Sequence, residues 1–129
     1  MSENPPKSAA TPAKIGRYEV LERLGSVQST LVGCGHSHVP RSVRLTSGQL
    51  IVNPGSVGLQ AYTDEHPEPY VMELGTPDAH YAIAERSARG WSASHFAVRY
   101  NVKVAAELAR TRGRKDWENA LLHGYVGDA

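Results

Sequence analysis

Cys34-Gly35-His36-Ser37-His38-Val39-Pro40, followed after a short hairpin by Val52-Asn53-Pro54-Gly55-Ser56-Val57-Gly58, is the part of the chain from which its architecture is read. Just upstream, Thr30-Leu31-Val32-Gly33-Cys34 is a short apolar run closed by glycine, the pattern of a buried strand. The histidine block therefore stands where a strand ends and the chain turns. Residues 42–46 and 49–53 flank Ser47-Gly48, a hairpin-turn signal. Asn53-Pro54-Gly55-Ser56 then breaks the return strand, because proline lacks a backbone donor and glycine tolerates positive φ.

Working outward, Pro67, Pro69, Gly75 and Pro77 predict a long loop between Leu59 and Asp78. Residues 80–86 and 91–100 flank Ala88-Arg89-Gly90 as a second hairpin. In its return strand Phe96, Val98 and Tyr100 share one face and Trp91, Ala93 and Ala97 the other, so both faces are expected to be at least partly covered. Asn101 is the expected cap of a helix over 102–112, whose Val104, Ala105, Leu108 and Ala109 form an apolar stripe that ends at Gly113. Asp116 is the expected cap of a last helix in which Trp117 and Leu121 stand one turn apart. Trp91 and Trp117 read as core. The fold class is α/β in the broad sense (α+β): an antiparallel or mixed sheet with carboxyl-terminal helices.

The composition narrows the class of molecule. Fourteen basic and 13 acidic side chains leave a net charge of +1, which supplies no field for nucleic acid or an anionic membrane. Hydrophobic residues at 40% and charged ones at 21% fit a soluble globular chain of one-domain length, 129 residues. Apolar runs such as Leu50-Ile51-Val52 are far too short to span a bilayer, and residues 1–13 lack the basic-then-apolar pattern of a secretory signal. A cytoplasmic protein is the expectation. Cys34, the single cysteine, excludes an internal disulfide and a multi-cysteine zinc site, and reads as a buried strand-end residue. Pro5, Pro6 and Pro12 among small polar residues make residues 1–13 a disordered tail by composition; residues 126–129 read as a second tail.

His36 and His38, at i and i+2 in a tight loop, can both turn toward one cation. Neutral imidazole is a ligand for zinc, manganese or iron, and the small neighbours Gly35 and Ser37 let an ion approach the backbone. The same pair, taken alone, also reads as two solvent-exposed histidines. Asn53, Gly55 and Ser56 read either as the phosphate side of a cleft, through their backbone N–H groups, or as a simple turn. His80, His95 and His123 stand isolated, and Arg41 and Arg44 read as solvated surface positions.

The two motifs in this order closely resemble the calcineurin-like metallophosphoesterases, in their small bacterial phosphodiesterase branch. The resemblance runs from about Leu31 to Tyr125 and takes in residues 62–67, Tyr81-Ala82-Ile83 and Val98-Arg99-Tyr100-Asn101. It implies the carboxyl-terminal part of a phosphoesterase sandwich over residues 30–125, with His36 and His38 as two of several ligands to a two-metal centre. It implies a divalent cation (manganese, iron or zinc), a phosphoester small molecule as substrate, and attack on phosphorus by a metal-bridging hydroxide. The family's Asp-x-His, Gly-Asp and Gly-Asn-His-Asp motifs have no counterpart upstream of Cys34. Asp64-Glu65-His66 spells Asp-x-His, but in a proline-flanked loop after the last motif. Gly127-Asp128 is uninformative.

Upstream, Ile15-Gly16-Arg17-Tyr18-Glu19-Val20-Leu21-Glu22-Arg23-Leu24-Gly25 resembles the lead-in strand of bacterial Ser/Thr protein kinases, within a segment 14–29 of uncertain structure. Ser26-Val27-Gln28 replaces the further glycines, and no catalytic lysine or aspartate follows, so kinase activity is not expected. Two neutral imidazoles cannot hold or charge-balance a pair of cations, so the chain alone is expected to be an inactive remnant or fragment of a phosphoesterase that binds metal weakly or not at all. The alternative is a non-catalytic interaction module, or a truncated gene product, on the same scaffold. Half a sandwich leaves strand faces and edges uncovered, which predicts self-association.

Overall fold

The structure, a computed structural model, describes residues 14–15, 18–19, 27–65 and 69–127. The proposed tail at 1–13, residues 128–129 of the tail at 126–129, most of the kinase-like segment and His66 lie outside the described residues.

The chain is a mixed α+β molecule whose described sheets do not close into a barrel. Strands β1 (Lys14–Ile15) and β2 (Tyr18–Glu19) form a minimal antiparallel pair. The central sheet is built from β3 (Leu31–Gly33), β4 (Arg41–Arg44) and β5 (Leu50–Asn53), in the order β3-β5-β4. β5 runs parallel to β3 and antiparallel to β4, with Gly33 opposite Val52 and Arg41 opposite Asn53.

β5 is buried along its whole length, as the uninterrupted run Leu50-Ile51-Val52 requires of a strand covered on both faces. Ile51 is its centre, packed against Val32, Cys34, Val43 and Leu45. The parallel pairing of β3 with β5 has a direct consequence. The carboxyl ends of both strands open at the same edge of the sheet, so the loop after Gly33 and the turn after Asn53 are neighbours in space.

The stretch 59–78, expected as one long loop, holds an antiparallel hairpin: β6 (Ala61–Asp64) with β7 (Tyr70–Glu73). Pro69 and Pro77 sit outside its ladder, so they bound the strands without removing a pairing donor. Ala61 and Met72 are buried.

β8 (Ala79–Ser87) and β9 (Gly90–Val98) form the longest ribbon, with Tyr81 opposite Phe96. One face meets the central sheet: Trp91 Nε1 donates to Thr30 Oγ1 at 3.0 Å, His95 Nε2 pairs with Ser42 Oγ at 2.8 Å, and Arg44 donates to the Trp91 carbonyl. On the other face Tyr81, Ile83, Phe96 and Val98 remain 39 to 46% exposed. The expected cover on both faces is therefore present on one face only, since alternation assigns sides to residues but does not supply the layer that packs on them.

Two short helices close the chain, α1 (Lys103–Thr111) and α2 (Lys115–His123). Asn101 stands one residue ahead of the observed cap position, and its Oδ1 accepts the Lys103 amide at 3.3 Å. Arg114, not Asp116, holds the cap position of α2. The helices meet through Ala106, Ala109 and Leu121, whose small side chains permit close approach. Trp117, read as core, is 43% exposed at the helix surface. Gly124, in left-handed backbone, ends α2 against Thr76, where a Cβ would stand 2.4 Å from main-chain atoms. Among the described residues no helix is long and apolar enough to cross a membrane.

Candidate functional site

The site is the edge where β3 and β5 end together. After Gly33 the chain leaves the sheet, with the Cys34 amide still held by the Val52 carbonyl at 2.9 Å. Cys34 is half-buried, its Sγ 3.6 Å from that carbonyl, and burial pushes its thiol pKa up. Cys34 packs against Ile51 as a small apolar group.

His36 and His38 both adopt left-handed backbone, with φ of +71° and +57°. Histidine enters this region more readily than most residues, yet such positions still cost energy and need the surroundings to hold them. Three side chains do so. Asn53, fully buried at the end of β5, donates from Nδ2 to Ser37 Oγ at 2.8 Å and to the Gly35 carbonyl at 3.4 Å. The Tyr62 hydroxyl donates to the His36 carbonyl at 2.7 Å. His38 Nδ1 pairs with the Leu59 carbonyl at 2.9 Å, which fixes the ring and leaves Nε2 as the other nitrogen.

The turn at 53–56 is closed by its own hydrogen bonds and is tied to the histidine loop. Asn53 Oδ1 accepts the Gly55 amide at 3.0 Å, closing an Asx turn, while Nδ2 reaches back to the histidine loop. Gly55 has φ of +88°, and a Cβ there would meet His80 Cβ at 2.7 Å and Pro40 at 3.3 Å. The Ser56 carbonyl accepts the His80 amide at 2.8 Å and the Gln60 side-chain amide at 2.7 Å. Of the three, Asn53 braces the histidine loop directly, Gly55 lies against Pro40 and His80, and Ser56 bonds His80 and Gln60.

β6 supplies what the linear reading missed. Tyr62 and Asp64, two residues apart on one strand, lie on the same face. Tyr62 packs its ring edge-on to His38 at 5.1 Å, and its hydroxyl also pairs with that of Tyr70. Asp64 Oδ2 lies 3.8 Å from His36 Nε2, with side-chain exposures of 27% and 60% respectively. In the sequence, Asp64 stands in the Asp-x-His string, within a segment whose prolines predict a loop. The remaining candidates stand elsewhere: Arg44 spans to the Gly48 and Trp91 carbonyls, His95 bonds Ser42, and His80 Nδ1 is buried with no hydrogen-bond partner.

As a donor set this edge offers two imidazoles and one carboxylate. Ligands sharing one ion through bonds of about 2.1 Å lie roughly 3.0 to 3.4 Å apart, so the His36–Asp64 separation is slightly too wide for a formed site. Among the described residues no cluster of three or more His, Cys, Asp or Glu side chains is arranged to hold an ion. The described residues therefore do not fit a two-cation centre by themselves.

No protein-family model matches the chain, and no curated protein matches it in sequence.

Proposed function

We propose that residues 30–125 are the carboxyl-terminal part of a calcineurin-like metal-dependent phosphoesterase, contributing His36 and His38 to a divalent-cation site whose further ligands come from outside these residues. The observation that supports this reading is the bracing of the histidine loop. Two left-handed histidines flanking Ser37, tied down by a buried asparagine, a tyrosine hydroxyl and a main-chain carbonyl, are costly for a purely exposed turn. Strained backbone held by surrounding hydrogen bonds is characteristic of sites that present side chains in fixed directions. A manganese, iron or zinc ion bound there would polarise a phosphoryl oxygen of a small phosphoester. The chain's own part is to hold two neutral imidazoles at a strand end.

The test is complementation. The chain with manganese and bis(p-nitrophenyl) phosphate is expected to give no turnover above the metal blank. Fused to a polypeptide carrying the Asp-x-His, Gly-Asp and Gly-Asn-His-Asp motifs, it is expected to hydrolyse the ester. His36→Ala and His38→Ala in the fusion are each expected to abolish that activity. Full activity in either substituted fusion would overturn the assignment of these ligands.

A second reading, a non-catalytic interaction module, is favoured by one observation: the exposed face formed by Tyr81, Ile83, Phe96 and Val98, with Tyr81 stacked on Phe96 at 5.0 Å. On this reading two copies meet through their hairpins. Sedimentation is expected to show a mass above 14.0 kDa that returns to the monomer value in Phe96→Glu. A parent chain that sediments as a monomer at all concentrations would remove this reading.

A further inference from the structure

We propose that the groove between α1, α2 and Leu59 is a binding site for a small organic anion with an aromatic or otherwise apolar body. This inference goes beyond the phosphoesterase reading and does not depend on it.

The groove follows from the side-chain sizes on the two helices. Alanines 106 and 109 let the helices touch deep in the pair, while Leu108 and Trp117 stand at its open side, 50 and 43% exposed. What remains is a cavity of about 510 Å³ whose apolar walls include Leu59, Leu108, Trp117 and Leu121. That volume lies within the range of about 300–1,000 Å³ that accommodates small-molecule ligands.

The charge at its rim selects the occupant. Every charged side chain among the described lining residues is a guanidinium, Arg112 or Arg114. Arg114 is already committed: Nε and Nη2 bond the Asp116 carboxylate at 2.9 and 2.6 Å, and the guanidinium lies 4.2 Å over the Trp117 ring. It acts as a fixed, neutralised wall. Arg112 forms no side-chain hydrogen bond or ion pair with any described residue, so its charge is available to a ligand. An apolar body against Leu108 and Trp117 with an anionic group at Arg112 satisfies both features, whereas a neutral apolar molecule leaves the cation unused.

Leu59 joins this groove to the histidine loop. It has φ of +56°, an unusual conformation for leucine, and while its side chain lines the groove its carbonyl holds His38 Nδ1. A second, smaller cavity of about 120 Å³ shares Arg114 and Trp117 with the groove and is also lined by Tyr62, whose strand contacts both histidines.

The experiment titrates the full chain, without metal, with 1-naphthyl phosphate, 1-naphthoate and 1-naphthol, by calorimetry and by amide and indole NMR shifts. Both anions are expected to bind, with shifts at Leu59, Leu108 and the Trp117 indole, and the uncharged naphthol to bind about five- to tenfold more weakly. Arg112→Gln, an exposed and structurally mild change, is expected to bring the anions down to the affinity of naphthol without altering naphthol itself. Leu108→Asp is expected to remove binding of all three. Equal affinity for naphthol and the anions, an unaffected Arg112→Gln variant, or shifts confined to the β8–β9 ribbon would overturn the proposal. Binding of the phosphate but not the carboxylate would support it and narrow the anion to a phosphoryl group. No turnover enters the readout, so its outcome is separate from that of the phosphoesterase test.

Discussion

Asn53 and Ser37 meet in the interior through a 2.8 Å hydrogen bond, and both are buried. That contact links the ends of two parallel strands: the asparagine terminates β5, and the serine sits between the two histidines of the loop after β3. Asn53→Ala is expected to leave the Ser37 hydroxyl, the Gly35 carbonyl and the Gly55 amide without this partner, at a cost of about 1–3 kcal/mol. Urea denaturation measures that loss. A decrease below about 0.5 kcal/mol would show that the bond does not brace the loop.

Gly55 has no room for a side chain. Gly55→Ala would combine a disfavoured positive φ with a Cβ 2.7 Å from His80 Cβ, both of which the turn would have to relieve by moving away from Pro40 and β8. The expected destabilisation is about 1–3 kcal/mol, with a lowered midpoint and an unchanged denaturant slope. An equally stable alanine variant would mean that the turn adopts another conformation.

Tyr62 separates two contributions to the histidine loop. Tyr62→Phe keeps the ring against His38 and removes the hydroxyl that donates to the His36 carbonyl. The expected stability loss is modest, about 0.5–1.5 kcal/mol. Amide hydrogen exchange is expected to quicken at residues 35–38 while β5 stays protected. Uniform acceleration across the sheet would instead assign Tyr62 a global packing role.

Cys34 provides a pH-dependent check. Its burial raises the thiol pKa, so the folded state resists ionisation that the unfolded chain permits. The sign follows: this contribution to stability is fully present below the unfolded thiol pKa and is lost as pH rises through the folded one. Alkylation by iodoacetamide at mildly alkaline pH is expected to be slower in the folded chain than in urea. Equal rates would place the thiol in open solvent.

Much of the architecture was readable along the chain. Residues 49–53 specified a strand, Ser47-Gly48 a turn and the stripe of 104, 105, 108 and 109 a helix, because each depends on residues close in sequence. The hairpin at 61–73 was not readable. Its strands are four residues each and flanked by prolines, so local punctuation outweighed a short alternation.

The chain itself determined that His36 and His38 stand at a strand end with small neighbours, and that a proline–glycine turn follows the next strand. Only the folded structure decided that Asn53 braces the loop, that Tyr62 and Asp64 join it, and that the face of Phe96 is left open. The physical reason is that strand direction and layer stacking are set by pairing between distant residues. Parallel alignment of β3 with β5 brings 34–38 and 53–56 to one edge, and no local pattern encodes that alignment.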